Sequence, residues 1–237
     1  MNILITGTSS GIGHGLAKEF IKRSANVWGI SRRKVDDFAK AQNYHHLNLD
    51  LTDFERVKEE MPGFICQLKR FDLVILNAGV LGDIKWMKEI SVAEMKRVMD
   101  INVWANKVLL DLLFKNIQEI KQVIGLSSKA SLRSSPGWGP YSMSKAGLNM
   151  LMNIYSKEYP ETHFNAFAPG LVDSEIQETI YNIKETDKYP TIKRLQESRY
   201  TEKMPEPDNA AAMLIAGMEK VLDYENGSFV DVREMQV

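Results

Sequence analysis

The stretch Thr6-Gly7-Thr8-Ser9-Ser10-Gly11-Ile12-Gly13 carries most of the information about the fold. It follows the apolar run Ile3-Leu4-Ile5 and precedes Leu16, Ala17 and Phe20, which begin a helical face. A strand that turns into a helix through glycines lets backbone N–H groups approach a pyrophosphate, and the positive end of the helix dipole favours the anion. Gly7, Ser9, Ser10, Gly11, Ile12 and Gly13 are therefore expected on the phosphate side of a dinucleotide site. The spacing departs from the strict dinucleotide fingerprint, because Gly7 and Gly11 are four apart and Gly13 lies two further on. A tightly packed strand-to-helix turn is the alternative.

Outward from this turn, short apolar runs alternate with longer segments of helical period, as expected for βαβ units and a parallel sheet. Strands are expected at 3–6, 26–30, 44–48, 73–76, 122–126, 163–168 and 229–232, and helices at 12–24, 53–69, 92–117, 141–159 and 208–222. Ser91 with Glu94 three residues later reads as a capping box, and Pro160 ends the fourth helix. The expectation is a single-domain α/β Rossmann fold over 1–237, with a seven-stranded parallel sheet and helices on both faces. The charged stretch 174–207 joins a strand end to the last helix, and such an insertion reads as a mobile lid over the ligand crevice.

With 237 residues, 44% of them hydrophobic, the chain can bury a sizeable core, which excludes disordered and fibrous classes. Thirty basic against thirty-one acidic residues leave no net field to draw nucleic acid or anionic membrane, so neither is an expected partner. The N-terminus lacks a basic region or cleavage site, and no apolar run approaches a membrane span; a cytoplasmic location is expected. The single Cys66 reads as core packing beside Phe64, Ile65 and Leu68. His45-His46 would alternate across a strand without acidic or cysteine partners, so no metal site is expected.

After the second strand the chain reads Ser31-Arg32-Arg33, where an NAD-preferring site would carry an acidic residue for the ribose 2′-hydroxyl. A guanidinium instead suits a 2′-phosphate through charge-assisted hydrogen bonds. NADP(H) is the expected cofactor, with NAD(H) possible, held by Arg32 and Ser31 with Arg33 in reserve; a solvated basic loop is the alternative.

Tyr141-Ser142-Met143-Ser144-Lys145 places a phenol and an ammonium on one face of a helix. A Tyr near pKa 10 is a poor base at neutral pH, and the nearby cation is expected to lower that value. The strand Val123-Ile124-Gly125-Leu126 ends in Ser127-Ser128, at the sheet edge where such folds bind ligands.

Together these motifs resemble the short-chain dehydrogenase/reductase family over nearly the whole chain, from Ile3 to about Val232. The resemblance implies an oxidoreductase that moves hydride between nicotinamide and a carbonyl or alcohol. Tyr141 would be its general acid or base, Ser128 would orient the substrate oxygen, and Lys145 would act on the phenol. It further implies that Asn102 serves a proton relay beside Lys145. Asp50, followed by Leu51, would bond the adenine, although a helix-capping role is nearly as natural. Asn77-Ala78-Gly79 would support the sheet near the cofactor ribose, and Pro169, Gly170, Val172 and Ser174 would hold the nicotinamide carboxamide. The family also implies a homodimer or homotetramer through the third and fourth helices, where Trp104, Val108 and Leu112 recur at helical spacing.

Two residues bear on substrate. An exposed Trp138 beside Tyr141 would favour an aromatic or apolar carbonyl, unless it packs into its own loop. Asn226-Gly227-Ser228-Phe229-Val230-Asp231 resembles the closing strand of sepiapterin reductases, where an Asp at this place bonds a pterin amino group; a solvated carboxylate is the alternative. The alternatives to a general carbonyl reductase are thus a pteridine or aromatic diketone reductase and, in another class, a non-catalytic NADP(H)-binding sensor.

Overall fold

The structure, a computed structural model, describes residues 1–133 and 135–235. The strands are β1 (Asn2–Thr6), β2 (Asn26–Ser31), β3 (Tyr44–Asn48), β4 (Arg70–Phe71), β5 (Leu73–Leu76), β6 (Glu119–Ile120), β7 (Gln122–Leu126), β8 (His163–Ala168) and β9 (Phe229–Asp231). The α-helices are α1 (Gly11–Lys22), α2 (Phe54–Ile65), α3 (Val92–Met99), α4 (Ala105–Asn116), α5 (Gly139–Glu158), α6 (Glu175–Tyr181), α7 (Pro190–Ser198) and α8 (Pro207–Lys220).

Seven strands form one parallel sheet in the order β3-β2-β1-β5-β7-β8-β9. The chain builds outward from β1 to β3, then returns past β1 to β5 and builds the other way. Ligands of such sheets sit at the carboxyl ends of the strands flanking that reversal, here β1 and β5.

Successive residues of β1 serve opposite faces, as strand geometry requires. Ile3 and Ile5 pack with Leu16 and Phe20 of α1 and Leu214 and Met218 of α8. Leu4 joins Val57 and Met61 of α2, Leu109 and Leu113 of α4, and Leu148 and Met152 of α5. Apolar residues on both faces explain why the strands read as continuous hydrophobic runs.

The expected long helix over 92–117 is interrupted. Asp100–Trp104 forms a π-helical turn between α3 and α4, a device that shifts the backbone hydrogen-bond register and re-aims side chains. Ser91 Oγ accepts from Glu94 N at 3.1 Å, but only half of the expected capping box forms. The Glu94 carboxylate instead accepts from Asp83 N and from Arg97. Cys66 is exposed at the end of α2, contrary to its reading as core. The short parallel pair β4 and β6 was not expected.

Segment 174–207 contains α6 and α7, and its neck is pinned: Asp173 N donates to Pro205 O at 2.9 Å. Arg199 Nε, at the end of α7, bonds both Asp173 carboxylate oxygens, at 3.0 and 3.1 Å. The guanidinium lies over the rings of Tyr181 and Tyr200, 5.0 and 4.8 Å from their centroids. Ile180, Tyr189, Ile192 and Leu195 of this segment bury their apolar faces against Leu81, Trp138 and Tyr141.

Candidate active site

A cleft of about 400 Å³ opens along the carboxyl ends of β1, β2 and β5. Its floor at one end is the glycine turn. Gly7 and Gly11 hold φ of 75° and 58°, the left-handed region that glycine adopts without penalty. Gly13 serves packing: a Cβ there would lie 2.3 Å from Gly7 O and 2.4 Å from Asn77 Nδ2. Ser9, Ser10, Gly11 and Ile12 line the cleft, whereas Gly13 stands behind it. No side chain caps α1 at Ser10, so the first N–H groups of the helix face the cleft with the positive end of its dipole.

Asn77 locks this turn to β5. Its Nδ2 donates to Thr6 O at 2.8 Å, while the N–H groups of Asn77 and Ala78 both donate to Thr6 Oγ1 at 3.0 Å. Asn77, Ala78 and Gly79 line the cleft, as do Asp50 and Leu51. Asp50 Oδ1 accepts from Thr52 N and Oγ1 at 2.9 and 2.7 Å, while the cap of α2 is Asp53, which accepts from Arg56 N.

At the end of β2 and just past it, Ser31, Arg32 and Arg33 line the same cleft, but only the two arginines are exposed. Ser31 Oγ is already engaged, donating to Arg33 O at 2.8 Å and lying 2.9 Å from His46 Nε2. Arg33 Nη2 is bonded to Glu175 Oε1 at 2.8 Å. Glu175, Arg97 and Ile101 line the cleft without having been singled out in the sequence, which offers no periodic or spacing signal for them.

At the other end Tyr141 and Lys145 project from one face of α5, and both are buried. Lys145 Nζ lies 5.7 Å from the Tyr141 ring centroid and donates to Leu126 O, at the end of β7, at 2.6 Å. The Tyr141 phenol hydrogen-bonds the Ser128 hydroxyl, whose oxygen also accepts from Ala130 N at 3.2 Å. Ser127 Oγ is occupied with Asn149 Oδ1 at 2.5 Å. The expected lowering of the phenol by the ammonium is not what dominates. Burial pushes the Tyr141 phenol up to about 12, only partly offset by Ser128, and pushes the Lys145 ammonium down to about 8. Both shifts disfavour the charged form, as expected for groups withdrawn from water.

Asn102 sits in the π turn and is fully buried. Its Oδ1 accepts from Val80 N at 2.8 Å, and its Nδ2 donates to Val80 O at 2.9 Å and to Ser144 Oγ at 2.8 Å. Ser144 Oγ in turn donates to Tyr141 O, so a buried chain of hydrogen bonds runs from the π turn to the phenol's own residue. Gly79 keeps the approach open, because a Cβ there would lie 3.1 Å from Asn102 Oδ1 and 3.4 Å from Lys145 Nζ.

Of the Pro169 to Ser174 segment, Pro169 and Ser174 line the cleft. Gly170 faces Arg233 and Val232, and Val172 is buried in the core. Of the two readings of Trp138 the exposed indole does not hold: the residue is 7% exposed, edge-on to Tyr141 at 5.9 Å between ring centroids, and clustered with Ile180, Tyr189, Ile192 and Leu195 of segment 174–207. Asp231 lies outside the cleft lining, its carboxylate fully buried and bonded twice by Arg233, at 2.9 and 2.6 Å, with Lys129 3.7 Å away. His45 stacks on Trp28, on the opposite side of β3 from His46. Among the described residues no group of three His, Cys, Asp or Glu comes together, and no helix is long and apolar enough to cross a membrane.

The parts fit a dinucleotide: an uncapped helix N-terminus, a glycine cradle, cations beyond β2, and a phenol at the far end. Comparison with known proteins agrees at the family level. The family model described as short chain dehydrogenase matches residues 1–185. A benzil reductase ((S)-benzoin forming) of Bacillus subtilis is 28% identical over 98% of both chains. A benzil reductase of Bacillus cereus is 31% identical, over 78% of this chain and 81% of its own. A short chain dehydrogenase/reductase structure from Saccharomyces cerevisiae superposes with a TM-score of 0.85 at 22% identity, over 98% of this chain and 96% of that one. The chain belongs to the short chain dehydrogenase family, whose members are oxidoreductases that bind nicotinamide cofactors.

Proposed function

We propose that the protein is an NADP(H)-dependent carbonyl reductase, with aromatic vicinal diketones as its preferred substrate class. The observation that carries this reading is the buried Tyr141 phenol, hydrogen-bonded to Ser128 and next to Lys145, at the end of a cleft that fits a dinucleotide. Bound nicotinamide supplies or accepts the hydride. The protein's own residues handle the proton. A phenol held protonated near neutral pH donates to the carbonyl oxygen, and Ser128 holds that oxygen in line. Lys145, at a buried position with one carbonyl partner, stabilises the phenolate left behind. Asn102 keeps the α5 helix and the Val80 loop in register with this pair, and we assign it the relay position beside Lys145.

The diketone assignment is supported by the aromatic and apolar surroundings of Tyr141, with Trp138 and Tyr189 in one cluster. The names of the two Bacillus relatives point the same way. Trp138, packed edge-on behind Tyr141 and outside the cleft lining, is proposed to back the substrate pocket rather than to face substrate. A pteridine reductase is the weaker reading, since Asp231 is already neutralised by Arg233. The exposed Trp104, Met143, Met150 and Ile154 on α5 and the π turn support assembly into a homodimer or homotetramer, expected to act in the cytoplasm.

The test is a panel of benzil, aliphatic diketones, simple ketones, quinones and pterins, followed by NADPH absorbance. Turnover of benzil well above the simple ketones is expected. Binding of NADPH without oxidation on any member would establish the sensor instead.

A further inference from the structure

Glu175 opens α6 and lines the cleft together with Ser10, Arg32 and Arg33, although nothing in the sequence marks it. Its Oε1 accepts from Arg33 Nη2 at 2.8 Å, and the same nitrogen lies 3.5 Å from Ser10 Oγ, the residue that precedes α1. Its neighbour Ser174 rests on the glycine turn, where a Cβ added to Gly11 would lie 3.3 Å from Ser174 Cβ. The ion pair therefore forms a bar across one end of the cleft, anchored on the lid and on the loop after β2. The hydrogen bond from Arg33, with help from Ser10 and Arg32, holds the Glu175 carboxyl below its ordinary range, so its half of the bar is a full carboxylate at neutral pH and occupies the Arg33 charge.

An anion fixed between two arginines has consequences for any second anion. A ribose 2′-phosphate needs a guanidinium and is repelled by a carboxylate, whereas a neutral 2′-hydroxyl makes neither demand. We propose that Glu175 is a determinant of cofactor preference, competing with the 2′-phosphate for Arg33 and so holding the preference for NADP(H) below what Arg32 and Arg33 alone would give. The inference rests on the NADP(H) reading above. With NADH the bar stays closed; with NADPH, Arg33 must exchange its carboxylate for the phosphate.

The test is calorimetric titration of the full chain with NADPH and NADH, without substrate, for wild type, Glu175→Gln, Arg33→Ala and the double variant. Glu175→Gln is expected to tighten NADPH by about three- to tenfold and to change NADH by less than about twofold, the scale of one exposed ion pair plus one removed like charge. Arg33→Ala is expected to weaken NADPH selectively, and adding Glu175→Gln to it should recover about twofold or less. If Arg33→Ala leaves the ratio Kd(NADH)/Kd(NADPH) unchanged, the cofactor reading fails and the inference falls with it. If Arg33→Ala lowers that ratio but Glu175→Gln does not raise it, the cofactor reading stands and the inference is overturned. Because Glu175 is exposed, Gln keeps its shape, and unchanged thermal unfolding verifies that only the charge was altered.

Discussion

At one end of the cleft Tyr141, Lys145 and Asn102 are 9%, 4% and 0% exposed, and their bonds reach backbone atoms of β7 and of the Val80 loop. At the other end the Arg33 and Glu175 side chains are 64% and 67% exposed and are bonded chiefly to each other. The buried end fixes geometry, because every polar group there loses more by leaving its partner than water can return. The open end adjusts charge, because its groups trade one partner for another at small cost. Under the proposed function, chemistry that needs a phenol placed within hydrogen-bond reach of a carbonyl would belong at the first, and a choice between two similar cofactors at the second.

The largest effect expected from this contrast is Tyr141→Phe. Losing the proton donor should lower kcat/KM for ketone reduction by roughly 10²- to 10⁴-fold, measured by NADPH absorbance, while the fold stays intact. Unchanged turnover would break the assignment of the buried end.

Asn102→Leu tests rigidity at the same end. It leaves Val80 N and O and Ser144 Oγ without their partner, and should cost about 2–4 kcal/mol in urea denaturation.

Lys145 gives a pH signature. Its ammonium is held at about 8 in the fold against an ordinary 10.5, so between these values the unfolded chain binds more protons and folding stability rises with pH. Relative to Lys145→Met, wild-type stability should climb by about 3 kcal/mol from pH 8 to 10.5, with little difference in slope below pH 7. A flat difference would mean that the ammonium is solvated.

The smallest effect belongs to the open end. Arg32→Ala should weaken NADPH binding about fivefold to tenfold in dilute buffer, and less in 0.5 M salt, where screening acts within a few Å. Loss of NADH binding to the same degree would remove the contrast between the two cofactors.

The sequence made the sheet legible because each strand is a short apolar run bounded by turn residues, and the glycine turn names its own position at the reversal of strand order. Tyr141 and Lys145 could be paired because helical spacing places them together. What escaped was set by tertiary contact. The π turn at Asp100–Trp104 leaves the apolar period of 92–117 nearly continuous, so no pattern marks it. Whether Trp138 lies open or packs away was left undecided by its local sequence, because the apolar residues clustered with it, Tyr189, Ile192 and Leu195, come from a distant segment. The ionisation of Tyr141 was judged from its nearest charge, when the larger influence was loss of water. Glu175 meets Arg33 across 142 positions of sequence, a separation that local reading does not span.

The pinned neck between Asp173 and Pro205, reinforced by Arg199, makes everything between them a detachable cassette. Both ends of that excursion leave the sheet at one point, so its interior can be rewritten without shifting the strands whose ends line the cleft. New pocket shapes are thereby open to natural drift and to loop grafting alike, provided the clasp at its base is kept.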